Sequence, residues 1–210
     1  MESEKPKIGI IAEDDENATL LAKQVERSGG RPLPISPGAE PAPDVISAID
    51  GLLVGHGGEA PLVQAALDAG IPALCTGQGM HALNLAMGGG LVEDISGHAV
   101  VKQDGEAVSS YHRIFVSPGS KLAAVVGSGG FVRVNSRHSQ GVRHAQKSST
   151  LMASAYSAED GVIEALESTR HRWVIAVQFH PERRTELPPH FYRLFEVLVQ
   201  RGRERTALSP

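Results

Sequence analysis

A histidine and a glutamate two residues apart close the run Trp173-Val-Ile-Ala-Val-Gln-Phe-His-Pro-Glu182. The apolar residues ahead of them read as a buried strand. Parallel α/β sheets present ligands at the carboxyl ends of their strands, so His180 would stand where a substrate binds. Glu182 could then bond the far nitrogen of the imidazole and fix its tautomer, the part played by the third member of a catalytic triad. A histidine held in this way takes up or gives out a proton. The plainer alternative for His-Pro-Glu is a strand-end turn.

A second stretch, Ile71-Pro-Ala-Leu-Cys-Thr-Gly-Gln-Gly-Met-His-Ala-Leu-Asn-Leu-Ala-Met-Gly-Gly-Gly90, holds the one cysteine, Cys75. Ile71 to Cys75 is a short apolar run leading into glycines, as a buried strand entering a sharp turn would be. From Gly79 the spacing of Met80, Leu83 and Met87 is helical, and Gly88-Gly89-Gly90 stops the helix. Strand, tight turn and helix make a nucleophile elbow. Its tip lifts one side chain above the sheet beside a helix N-terminus, where a thiolate or other anion is favoured.

These residues resemble the elbow of class I glutamine amidotransferases, most of all their γ-glutamyl hydrolase (peptidase C26) branch. That branch reads Pro-x-Leu-Gly-x-Cys-Arg-Gly-Met-Gln, then an Asn, then a glycine pair. Pro72, Leu74, Gly79, Met80, Asn84, Gly88 and Gly89 match it without gaps. The same alignment sets Gly77 at the nucleophile position and makes Cys75 an apolar strand residue, a common place for a free cysteine. A second register, Ala73-Leu74-Cys75-Thr76-Gly77, fits small-x-Cys-x-Gly and would put Cys75 at the tip. It needs a shorter strand and a longer helix, and both ends of the stretch favour the ungapped one.

Further segments carry the resemblance in the family's order. Asp50-Gly-Leu-Leu-Val-Gly-His-Gly-Gly58 is similar to the segment whose glycine turn lends backbone N–H groups to the oxyanion hole, with Gly57 and Gly58 matching the pair. His112-Arg-Ile-Phe-Val-Ser-Pro-Gly-Ser-Lys-Leu122 resembles His-x-Val-x-x-x-Pro-Gly-Ser-x-Leu, and Val134-Asn-Ser-Arg-His-Ser-Gln140 resembles Val-Asn-Ser-x-His-His-Gln with Ser139 in place of the second histidine. Asp160-Gly-Val-Ile-Glu-Ala165 and the Val-Gln-x-His-Pro-Glu of residues 177–182 complete the set. The resemblance runs from Lys7 to about Val199. It implies a three-layer α/β sandwich with a mostly parallel central sheet. It also implies His180 and Glu182 as catalytic residues, and Gln78, Asn135 and His138 beside Gly57 and Gly58 as oxyanion or substrate contacts. The acidic insert that usually follows the glycine turn in the family is missing.

The family's reaction uses a thiolate to attack a γ-glutamyl amide carbonyl, a histidine to protonate the leaving amine and backbone N–H groups to hold the oxyanion. A glycine at the elbow forms no covalent intermediate. Three readings stay open: altered, non-covalent chemistry through His180 on a small amide- or amino-acid-derived molecule; conventional γ-glutamyl amide hydrolysis through Cys75; or a non-catalytic binder that keeps the pocket. An ammonia-channelling role would call on a separate subunit.

The elements that must position these residues follow from the pattern of the chain. Lys7–Ala12, residues 31–35 and residues 50–58 read as strands, the last ending in glycines, and residues 17–28 and 61–70 as helices. Residues 36–43 are Pro/Gly-rich and read as loop. Alternation of strand and helix up to residue 90 argues for a parallel sheet. Beyond it, residues 97–103, 111–116 and 130–134 read as short β pieces, and 154–165 as a hairpin. Phe191 to Val199 reads as an amphipathic helix and 200–210 as a frayed tail. At 210 residues a single domain with a full core is expected. The net charge of −4 argues against nucleic acid as a partner. One cysteine excludes an internal disulfide and a thiolate zinc cluster. Neither a cofactor nor a metal ion is expected, a small molecule is the expected partner, and a homodimer is compatible with the sequence. Without a membrane-length apolar run or a signal-peptide pattern, a cytoplasmic protein is expected.

Overall fold

The computed structural model describes residues 4–208. Its first half alternates strand and helix: β1 (Lys7–Ile11), α1 (Asp15–Arg27), β2 (Arg31–Ile35), α2 (Pro43–Ser47), β3 (Gly51–Val54), α3 (Ala60–Asp68), β4 (Ala73–Thr76) and α4 (Gln78–Ala86). The second half is richer in β: β5 (Val101–Gln103), β6 (Glu106–Val108), β7 (Ser110–Val116), α5 (Lys121–Val126), β8 (Gly130–Ser136), β9 (Leu151–Ser157), β10 (Ile163–Ser168), β11 (Val174–Val177) and α6 (Arg193–Leu208). A 3₁₀ turn over Pro189–Tyr192 precedes α6.

Nine strands form one sheet in the order β2-β1-β3-β4-β11-β10-β9-β7-β8. The five from β2 to β11 are parallel, and β10, β9, β7 and β8 continue antiparallel. The late strand β11 is thereby inserted beside β4, with Val177 opposite Thr76. That pairing carries the ends of the elbow strand and the His180 strand to the same edge.

Alternate residues of each strand face opposite sides of the sheet. On one side Ile8, Ile10, Leu53, Leu74, Ile175 and Val177 pack with α1, α5 and α6; on the other Leu52, Val54, Ala73, Cys75, Val174 and Ala176 pack with α3 and α4. Two apolar layers around one mixed sheet give the three-layer sandwich that the resemblance implies.

Some boundaries differ from the sequence reading. The Pro-rich loop ends one residue early, because Pro43 starts α2 from its first position, where a proline costs no hydrogen bond. The first β piece begins only at Val101 and pairs with β6 in a separate two-stranded sheet. The frayed tail is overturned through Leu208: α6 continues because Gly202 is buried beside Ile8 and the Asp50 carbonyl, and Thr206 Oγ1 donates to Asp50 Oδ1 at 2.9 Å. The arginines that suggest a solvated end include Arg201, which pairs with Glu204 at 2.8 Å.

Candidate functional site

Gly77 is the turn residue between β4 and α4, with φ 55° and ψ −123°. A left-handed φ of this kind favours glycine, and it is the strained geometry of an elbow tip. A Cβ built on Gly77 would lie 2.5 Å from Cε1 and 3.0 Å from Nε2 of His180. A side chain at this position would therefore point straight at the imidazole. Two residues on, a Cβ at Gly79 would collide with the Val54 carbonyl, so the helix starts hard against β3 only because that residue is glycine.

Cys75 lies inside β4, fully buried in the layer beneath α3 and α4. Burial pushes its thiol up to about 12, so it is protonated at neutral pH. It is neither at the turn nor open to solvent.

His180 follows β11, its side chain 17% exposed. Its Nδ1 lies 2.7 Å from Oε1 of Glu182, a side chain with no exposure. Asn17 Nδ2 donates to the same oxygen at 3.1 Å, and Gln24 Nε2 donates to the Glu182 carbonyl at 3.2 Å. With Glu182 accepting, Nδ1 carries the proton and Nε2 turns its lone pair toward the elbow. The backbone of His180 is clasped as well. Its N–H donates to Asn135 Oδ1 at 2.8 Å, and Asn135 Nδ2 donates to its carbonyl at 3.1 Å and to Glu186 Oε2 at 2.7 Å. Asn135 is completely buried and both ends of its amide are engaged. It supports His180 from below, leaving no free group for a substrate.

The elbow is braced from behind. Gln178 Nε2 donates to the Gly77 carbonyl at 3.4 Å, and its Oε1 lies 2.8 Å from His81 Nε2. Burial lowers His81 to about 4, so it is neutral at pH 7 and its Nε2–H donates to that oxygen.

Asn17, His56, Gln78, Arg137, His138, Gln178, His180 and Arg183 meet, with Asp14 and Glu16, around a cleft of about 250 Å³. Gly57 and Gly58 line a neighbouring cleft instead, and Gln78 is shared by the two. His138 reaches the His180 cleft, but its ring nitrogens are directed to the Gln140 carbonyl, at 2.7 Å, and toward Glu164.

Asn17, Gln24, Gln178 and His81 escape the sequence reading as site residues. For the first two a signal exists: Asn17, Leu21, Gln24 and Val25 share one face of α1 and are all buried. Two amides on an apolar stripe need partners, and here both find Glu182.

Comparison with known proteins gives the family and the fold. The sequence model of the family described as Peptidase C26 matches residues 56–182, which span His56, the elbow, His138 and the His180–Glu182 pair. A glutamine amidotransferase-type protein of Schizosaccharomyces pombe is 26% identical over 95% of this chain and 88% of its own length. One of Mycobacterium tuberculosis is 35% identical over 67% of this chain, a match that spans 44% of that protein. The crystal structure of a GMP synthase-type protein from Thermoplasma acidophilum superposes with a TM-score of 0.77 over 98% of each chain at 13% identity, a likeness of fold. No helix among the described residues is long and apolar enough to cross a membrane. The chain belongs to the peptidase C26 family of glutamine amidotransferase-like proteins.

Proposed function

We propose that this protein is a γ-glutamyl-hydrolase-like enzyme that acts on a small amide- or amino-acid-derived molecule without a covalent thioester. The observation that carries the reading is Gly77. It adopts the elbow conformation, the missing side chain would face His180 Nε2, and the only thiol is two residues back, buried and protonated. The supports of the histidine are nevertheless in place through Glu182, Asn17 and Asn135.

In this reading His180 Nε2 takes a proton from water as the oxygen adds to the amide carbonyl. The imidazolium then protonates the departing nitrogen. The first backbone N–H groups of α4, at Gln78 and Gly79, lie at the positive end of the helix and suit the developing oxyanion. Arg137 could receive a carboxylate and Asp14 an ammonium group; both line the cleft, where Arg183 pairs with Glu16 at 3.0 Å. That charge set suits an amino-acid-derived substrate. Cytoplasmic location and a homodimeric state are parts of the same proposal.

The test is a panel of γ-glutamyl and other amino-acid amides assayed with wild type and three variants. His180→Ala should lower turnover by about a hundred- to ten-thousandfold, the usual worth of a positioned base. Cys75→Ser should leave it unchanged. Gly77→Cys should introduce a burst of acyl-enzyme on γ-glutamyl amides, once His180 has shifted to admit the side chain. Loss of a strong γ-glutamyl hydrolase activity in Cys75→Ser would overturn the proposal in favour of conventional chemistry. Saturable binding with no turnover of any amide would make the protein a binder.

A further inference from the structure

A second group of histidines lies outside this chemistry. His98 sits in the loop after α4, His112 on β7, His138 just past β8 and Glu164 on β10. Their exposures are 3%, 9%, 5% and 0%. Histidine nitrogens converge on a single carboxylate oxygen, Glu164 Oε1: His98 Nδ1 at 3.5 Å, His112 Nε2 at 3.2 Å and His138 Nε2 at 3.7 Å. None of these contacts is a hydrogen bond. Both oxygens of Glu164, His98 Nδ1, His138 Nε2 and both nitrogens of His112 are buried without a hydrogen-bond partner. A carboxylate with no exposure and no donor is costly, so its presence calls for a cation.

The distances say which kind. Two ligands of one tetrahedral zinc, each about 2.0–2.2 Å from the metal, lie roughly 3.3–3.5 Å apart. The observed separations of 3.2–3.7 Å are near that figure. Ligand atoms of His98, His138 and Glu164 all lie within 4.8 Å of one another. The outer contacts fit as well. His138 Nδ1 lies 2.7 Å from the Gln140 carbonyl and must donate to it, which leaves Nε2 as a bare lone pair facing the carboxylate. His98 Nε2 lies 3.4 Å from Asp160 Oδ2. Metal-ligating histidines typically turn their second nitrogen to a carbonyl or carboxylate in this manner. The pairing of β9 with β10 shifts register on both sides of Ala165, next to Glu164, and such irregularities re-aim side chains at functional sites.

We propose that His98, His138 and Glu164 hold a divalent transition-metal ion such as zinc, with His112 an outer contact 3.2 Å from Glu164 Oε1. Two imidazoles and a carboxylate suit zinc, while magnesium and calcium take oxygen ligands. His98, His112 and Asp160 line a cleft of about 400 Å³, which offers the ion a way in. The ion ties the loop before β5 to the end of β8 and to β10. Through His138 it also stiffens the wall of the His180 cleft. The inference does not depend on whether that cleft turns over a substrate.

The test is titration of metal-free protein with cobalt(II), followed by zinc. One equivalent of cobalt per chain should bind with the visible absorption of a four-coordinate nitrogen and oxygen site, and zinc should displace it. Glu164→Gln and His98→Asn should each weaken binding by at least about a hundredfold, the upper end of what losing a mere outer contact costs. His144→Ala, at an exposed histidine, should bind as wild type does. Absence of stoichiometric uptake would overturn the site and leave protons alone to balance the cluster. So would uptake that survives in both ligand variants. If Glu164→Gln does not fold, the wild-type cobalt spectrum and His98→Asn still decide.

Discussion

Two histidine sites meet at His138, and they are wired in opposite ways. Around His180 the imidazole Nδ1, the backbone N–H and the backbone carbonyl all have protein partners, supplied by Glu182 and Asn135. Around Glu164 three imidazoles face one carboxylate with no hydrogen bond among them. The first site carries a braced histidine beside a glycine at the turn. The second gathers ligand atoms of His98, His138 and Glu164 within 4.8 Å of one another, and in the proposed reading lacks the ion that would join them. The first leaves Asn17 Oδ1 and Glu182 Oε2 unpaired but holds its histidine on both sides, whereas the atoms that face one another in the second are unpaired, so the second is the one that needs something added. Chemistry that depends on a retained framework and chemistry that depends on an added ion thus leave different traces in the same fold.

The largest effect on this contrast should come from Asn135→Ala. The change strands the N–H and carbonyl of His180, while the Glu186 carboxylate keeps the Ser109 hydroxyl at 2.7 Å. Each unsatisfied group costs about 1–3 kcal/mol, so a loss of roughly 2–4 kcal/mol in urea denaturation is expected after partial relaxation. Cobalt binding at the Glu164 cluster should persist, because the hydrogen bonds of Asn135 go to His180 and Glu186 and not to the cluster's ligands. A loss under about 0.5 kcal/mol, the level of an ordinary surface change, would show that the clasp is not what holds His180.

Gly77→Ala should have a smaller effect, confined to the first site. A left-handed φ costs a non-glycine residue about 1–3 kcal/mol, and the new methyl would press on the His180 ring. We expect a loss of about 2 kcal/mol, together with shifted ring resonances of His180 in NMR spectra. Unshifted ring resonances would mean that the ring does not occupy the space above the elbow.

Much of this was legible in the sequence because the signals are local. The glycines at 77 and 79 sit where backbone conformation and close approach demand them, and the run from Trp173 to Glu182 carries its histidine and glutamate within one strand end. The rest depends on pairings far apart in sequence. Asn17 meets Glu182 only because α1 packs on the face of the sheet from which that residue projects. The tail reads as frayed because nothing local shows that Asp50 waits to receive Thr206. The four-residue cluster has no spacing motif at all. His98, His112, His138 and Glu164 come from one loop and three strand regions, and only the antiparallel half of the sheet brings them together. That is why a chain with one cysteine gives no local reason to expect a metal ion.

Cys75→Ala should give the smallest effect and touches neither site. The thiol is a small buried apolar group, so its loss at neutral pH should cost about 1 kcal/mol and leave turnover and cobalt binding as they are. Its titration adds a signature. Burial raises the thiol from 9.0 to about 12 in the folded chain. The unfolded chain therefore loses its proton first. The stability that the protonated thiol contributes is complete below pH 9 and is lost as pH rises toward 12, by about 1.4 kcal/mol per pH unit within that window. The neutral-pH advantage of wild type over Cys75→Ala should thus vanish near pH 10 and reverse above it. Paired urea denaturations at pH 7.5 and pH 10.5 read this directly. An advantage that stays constant across that range would mean that the thiol ionises freely in the native state. Cys75 would then be open to solvent, and the conventional thiol chemistry that the elbow geometry argues against would return as the better reading of the His180 site.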